Sequence, residues 1–144
     1  ASFREAARID PRLGEAHLNV GLISRAVGDL PEAVARFRQA MQLNPEWVTP
    51  IASLASVLAA APDSGIRNPA EAVRLAERAV SQTLRRDANT LDVLAVAHAA
   101  AGDFARALAA LDEALALSPP AQLVSILRAH QELFKRREPY VSAR

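Results

Sequence analysis

A chain of 144 residues with 51% apolar and 4% aromatic side chains has room for one compact domain or one short array. Its 17 Lys and Arg against 16 Asp and Glu leave a net charge of +1, too weak a field to favour nucleic acid or an anionic membrane surface. Without Cys there is no disulfide framework, thiolate metal site or cysteine nucleophile, and His17, His98 and His130 are too scattered in sequence to suggest a ligand cluster.

The chain opens Ala1-Ser2-Phe3-Arg4, without an initiator Met or an apolar leader, and so reads as a piece of a longer protein. Residues 2–9 read as a lone helix, the second helix of a truncated repeat over 1–10. Phe3, Ala6 and Pro11 return 34 residues later as Phe37, Ala40 and Pro45, so one register covers both stretches. A first full unit, 11–45, is expected to hold helices over 13–27 and 30–43. Gly21, Ala33 and Ala40 mark where its two antiparallel helices cross, since a side chain above a methyl would force the axes apart. Val20, Val34, Phe37 and Met41 supply larger apolar groups around them.

The second unit, 46–86, reads as helices over 46–61 and 69–83 separated by an inserted turn at 62–68. Its small set is Ala55, Ala72 and Ala79, its large set Leu54, Val73 and Val80, and Ile66 is expected to fold back as an anchor. The third unit, 87–119, reads as helices over 88–101 and 104–117, with Ala95, Ala107 and Ala114 beside Leu94, Leu108, Leu111 and Leu115. A last helix over 120–136 carries the apolar stripe Leu123, Ile126, Leu127, Leu133 and Phe134, and a basic tail completes 120–144. Asp29 with Glu32 and Asn68 with Glu71 have the capping-box spacing. Asp10-Pro11, Asn44-Pro45 and Ser118-Pro119 each place a cap ahead of a Pro suited to a first helical turn. Gly28 and Gly102 supply turns within pairs. The nearly apolar runs 51–61 and 93–101 are too short to cross a bilayer.

These residues resemble the tetratricopeptide repeat: His17, Val20, Gly21, Ala33, Phe37, Ala40 and Pro45 stand on its motif positions, and the similarity spans residues 2–119. Ser24, Leu58 and His98 depart from it where an aromatic is usual, and Leu84 where the closing Pro is usual. The resemblance implies an all-α fold, a right-handed superhelical solenoid of antiparallel helix pairs with a C-terminal capping helix, forming one domain over 1–144. It implies a non-catalytic protein–protein interaction scaffold that binds a peptide or partner protein in its concave groove. The alternative is a substrate-recruiting or structural arm of a larger enzyme, such as a glycosyltransferase-like protein.

By that register the concave wall presents Glu15, Leu18, Asn19, Leu22 and Arg25 in the first unit, Ser53 and Ser56 in the second, and Asp92 and Val96 in the third, with Thr49, Ala52, Asn89 and Val93 beside them. A small, mixed wall suits an extended peptide whose amides are held by side chains with donors and acceptors. Asn19 is similar in place to the asparagine ladder of O-linked N-acetylglucosamine transferases, yet Ser53 and Val93 break the ladder after one rung, and a solvated Asn is the competing reading. The dicarboxylate clamp of chaperone-binding relatives needs inward Lys and Arg where Leu18, Ala52 and Asp92 stand, so a chaperone-tail receptor is not expected.

His17 and His98 are read as packing residues. No base, nucleophile and orienting acid share a recognisable spacing and no Gly-rich phosphate loop occurs, so the chain is expected to be no enzyme, with no cofactor and no metal. The expected partners are a protein or extended peptide, the remainder of a longer chain, and a second copy through the N-terminal helix bearing Phe3 and Ile9. Nucleic acid and direct membrane insertion are not expected. The stretch 121–144 carries five basic against two acidic residues, which makes an acidic partner for the tail a further option. Arg-over-Lys usage, with Lys135 the single Lys, suggests a bacterial source, and a soluble chain, cytoplasmic rather than periplasmic, is the expectation.

Overall fold

The computed structural model describes residues 12–142. Within them lie seven helices and no strand: α1 (Arg12–Ala26), α2 (Leu30–Leu43), α3 (Val48–Ala60), α4 (Pro69–Gln82), α5 (Ala88–Ala100), α6 (Phe104–Ala116) and α7 (Ala121–Lys135). Consecutive helices pack on one another as the pairs α1/α2, α3/α4 and α5/α6, and α7 closes the array against α6 and α5. The fold is an all-α solenoid. The lone helix expected over residues 2–9, with Phe3, Ile9 and the Asp10-Pro11 cap, lies outside the described residues, and so does the self-association argued from it.

Helix starts follow from short acceptor side chains. Asp29 Oδ1 accepts the Glu32 N–H at 3.3 Å, Asn68 Oδ1 the Glu71 N–H at 3.2 Å, Asp103 Oδ1 the Arg106 N–H at 3.1 Å and Asp87 Oδ1 the Asn89 N–H at 2.9 Å. Such caps contribute about 1 kcal/mol each by satisfying donors that no earlier turn can reach. The reciprocal half of the expected capping boxes is spent elsewhere: Glu71 accepts two bonds from Arg38 of α2, at 2.8 and 3.0 Å, and Glu32 takes Arg36 at 2.7 Å. Gly28 and Gly102 adopt φ of 88° and 84°, where a Cβ would be strained, and let Asp29 and Asp103 bond back to Ser24 and His98.

Two expected caps are corrected. Asn44 closes an Asx turn onto the Glu46 N–H at 3.2 Å, and α3 begins only at Val48 behind Trp47, because the chain must first turn off the end of α2. Ser118 takes a left-handed φ of 54°, and α7 starts after Pro120.

Small residues set the spacing between helices. Gly21, Ala33, Ala40, Ala55, Ala72, Ala79, Ala95, Ala107 and Ala114 are all buried. A Cβ on Gly21 would stand 2.7 Å from a Phe37 ring carbon, so α1 and α2 meet there only because the methyl is missing. Phe37, Ile51, Leu54, Val80, Leu91, Leu111, Leu127 and Phe134 fill the space between. Ile66 packs on this core from the inserted turn, which Asp63 closes through its side chain on Gly65 and its carbonyl on Ile66 and Arg67.

Two apolar expectations fail. Val20 is 37% exposed and continues with Ile23 and Val27 as a bare stripe, since among the described residues only α2 packs extensively on α1. Ile126 is 48% exposed because it faces the concave side rather than α6.

Candidate binding groove

The concave side is built from alternate helices. A groove of about 440 Å³ is lined by Arg25 of α1, Ser56 of α3, Asp92, Val93 and Val96 of α5, Ile126, Ala129, His130 and Leu133 of α7, and Tyr140 beyond it. None of these comes from α2, α4 or α6. A second cavity of about 810 Å³ shares Arg25 and Ser56 and extends to the inserted turn at Pro62, Asp63 and Ser64, with Ser142 at its edge. Both are lined by Arg25 and Ser56, which are joined where Arg25 Nη2 donates to Ser56 Oγ at 2.8 Å, and the two together are termed the trough.

Polar groups in the trough are held by neighbours. Burial lowers the pKa of the Arg25 guanidinium from its ordinary value, while the Tyr140 phenol acts in the opposite sense. Asp92 Oδ1 stands 2.7 Å from His130 Nδ1, and because a carboxylate only accepts, the imidazole presents Nδ1–H to it. His130 stacks on Phe134 at 5.8 Å between centroids and meets the Tyr140 ring edge-on at 4.9 Å. The residues after α7 reverse direction at Arg137, whose guanidinium lies 5.3 Å over the Phe104 ring. They then return along the concave side until Ser142 donates its N–H to the Ala60 carbonyl at 2.8 Å and its hydroxyl to the same oxygen at 3.1 Å.

Of the residues expected on the wall, Arg25, Ser56, Asp92, Val93 and Val96 come together in this groove. Leu18 is buried instead in the core cluster that contains Ala33 and Phe37. Glu15, Asn19 and Leu22 are exposed on α1 and Ser53 is half-buried on α3, and none of the four lines the groove. The sequence reading missed His130, Ile126, Leu133, Tyr140 and Ser142. The one signal available was Tyr140, the single Tyr of the chain, set two residues after the charged run 135–138.

His98 is buried among packed residues, whereas His17 is half-buried and held by a hydrogen bond. His98 is buried on α5 with its pKa lowered by desolvation, and His17 accepts from Arg36 at 3.0 Å through Nδ1. Among the described residues no group of three or more His, Cys, Asp or Glu gathers as a metal site, and no helix is long and apolar enough to cross a membrane.

Comparison with known proteins agrees with this fold. Residues 88–121 match the sequence profile of the tetratricopeptide repeat family. The TPR2B domain of yeast Sti1, solved in complex with pHsp70, superposes with a TM-score of 0.71 at 21% identity, over 86% of this chain and 94% of that one. The N-terminal domain of stress-induced protein-1 from C. elegans gives 0.61 at 20% identity, over 83% and 94%. PilW, a type IV pilus biogenesis factor, gives 0.65 at 19% identity, over 94% of this chain and 64% of its own. No curated protein matches the chain by sequence. At such identities the shared property is the fold, and the third helix pair matches a tetratricopeptide repeat within an array of that fold.

Proposed function

We propose that this tetratricopeptide-repeat array is a non-catalytic interaction module that holds an extended peptide segment along its concave trough. The observation that carries the reading is the trough itself, to which four successive inner elements contribute apolar floor (Val96, Ile126, Leu133) and polar anchors (Arg25, Ser56). Such a surface binds main chain through hydrogen bonds and reads alternate side chains in shallow apolar seats. Asn19, Leu22, Glu15 and Ser53 do not line it and are read as a rim that only a longer segment would reach. That the Sti1 domain was solved with pHsp70 supports a protein or peptide as partner. The trough lacks a paired set of Lys and Arg, so a doubly acidic chain end is not the segment it suits.

A peptide-array screen, followed by titration of the best ligand, tests the reading. Ile126→Asp places a charge on the trough floor at an exposed position, so it should weaken binding at least ~10-fold with the unfolding midpoint unchanged. Reversing Lys135 and Arg136 should change affinity little. The opposite ranking would assign the ligand to the basic tail and remove the trough from the function.

A further inference from the structure

We propose that residues 138–142 are a tethered occupant of the trough and display the class of segment it takes: an extended peptide with an aromatic side chain two residues ahead of a main-chain N–H that pairs with Ala60. The inference rests on the peptide-binding reading above and deepens it by naming the ligand chemistry and an internal competitor.

The strap begins where α7 ends. Arg137 adopts a left-handed φ of 59°, and the Arg137 and Glu138 N–H groups close the helix on the Phe134 and Leu133 carbonyls, each at 3.0 Å. This turn directs the following chain back over the concave side instead of away from it. Pro139 has no N–H to satisfy, and its fixed φ favours an extended course. Tyr140 then seats its ring against His130 beside Arg25. Two residues later Ser142 reaches Ala60, the last residue of α3, whose carbonyl has no partner within its own helix. An orphan helix-end carbonyl facing a trough is an acceptor that any extended main chain could use, and here the chain's own tail uses it.

The strap is held at few points. Tyr140 and Ser142 are its two seats, and the cavities of about 440 and 810 Å³ remain open beside them. Segments with so few buried contacts open at the low end of the local-stability range. An external ligand therefore meets a trough already occupied by a tethered rival. A short tether gives an effective concentration of order 1 mM, so a strap that binds with an intrinsic constant of order 0.1 mM lowers the apparent affinity of an outside segment about tenfold.

The test uses the full chain. Tyr140→Ala combined with Ser142→Pro empties the ring seat and removes both donors to Ala60, and neither residue lies in a helix, so circular dichroism should be unchanged. The probe is a fluorescent peptide with the sequence of residues 136–144, read by polarisation. The released chain should bind it about tenfold tighter than wild type does, and a peptide carrying Tyr140→Ala should fail to compete. Equal affinity for the two chains, or full competition by the Tyr140→Ala peptide, overturns the proposal. So does a released chain that ignores the strap peptide. If array-selected ligands still bind the two chains equally, the strap fails while the trough reading stands; if no peptide binds either chain, both fail.

Discussion

Asp92 and His130 face each other across the concave side at 2.7 Å, joining the inner helix of the third helix pair to the closing helix. Their side chains are only 16% and 9% exposed, so the contact fixes α7 as the wall of the trough as well as the cover of the core. It also withholds the Asp92 carboxylate from a ligand, which explains how an acidic residue can stand at a position the sequence presents as free to bind.

Removing one partner of that pair should be costly. Asp92→Ala leaves the His130 Nδ1–H without an acceptor in a nearly dry site, and should lower stability by about 1–3 kcal/mol in urea unfolding. Asp92→Asn keeps an acceptor and should cost less. Equal and negligible losses would mean that water replaces the carboxylate without penalty.

Gly21→Ala should destabilise even though Ala is the better helix former. Propensity favours Ala by up to about 1 kcal/mol, whereas the new Cβ would stand 2.7 and 2.8 Å from two carbons of the fully buried Phe37 ring. Overpacking of this kind costs roughly 1–3 kcal/mol, so the net change is a loss. Ala72→Leu, at a fully buried crossing in the second pair, should lose a similar amount. A raised melting temperature in Gly21→Ala would show that the ring gives way.

Stability should fall on acidification in two steps. Burial holds the His98 pKa below its ordinary 6.5, with Asp103 acting the other way, and burial together with Arg36 lowers that of His17. The unfolded chain then takes up protons that the folded chain refuses, so stability is complete above 6.5 and declines as pH drops toward the folded values. A second decline follows below 4.5, where Arg38 holds Glu71 and Arg85 holds Glu113 in their ionised forms. Urea midpoints at about pH 7.5 and about pH 5.5 should differ, and His98→Gln should narrow the gap. Identical midpoints in wild type would refute the first step.

Arg25 should matter more to binding than Asn19. Arg25 lines both parts of the trough, whereas Asn19 is exposed and lines neither. Titration of an array-selected ligand should therefore show a loss of about 1.5–3 kcal/mol for Arg25→Ala, as expected for a hydrogen bond from a charged donor, and a change near zero for Asn19→Ala. A larger loss at Asn19 would move the contact surface onto the rim.

The helices and their crossings were legible in the sequence because they depend on local, repeated causes. A 34-residue register, a small residue at each crossing and an acceptor side chain ahead of most helices act within a few turns of chain. They gave the expected ranges for α1 through α7 to within about two residues of those observed. The trough depended on contacts between distant positions that carry no periodic mark. Asp92 meets His130 across 38 residues, and Ser142 meets Ala60 across 82. Register alone places Leu18 and Arg25 on the same wall, yet packing sends Leu18 into the core and leaves Arg25 over Ser56. Which flank of an inner helix faces the trough is set by how the pairs stack and by where α7 closes them, and that is a property of the assembled array.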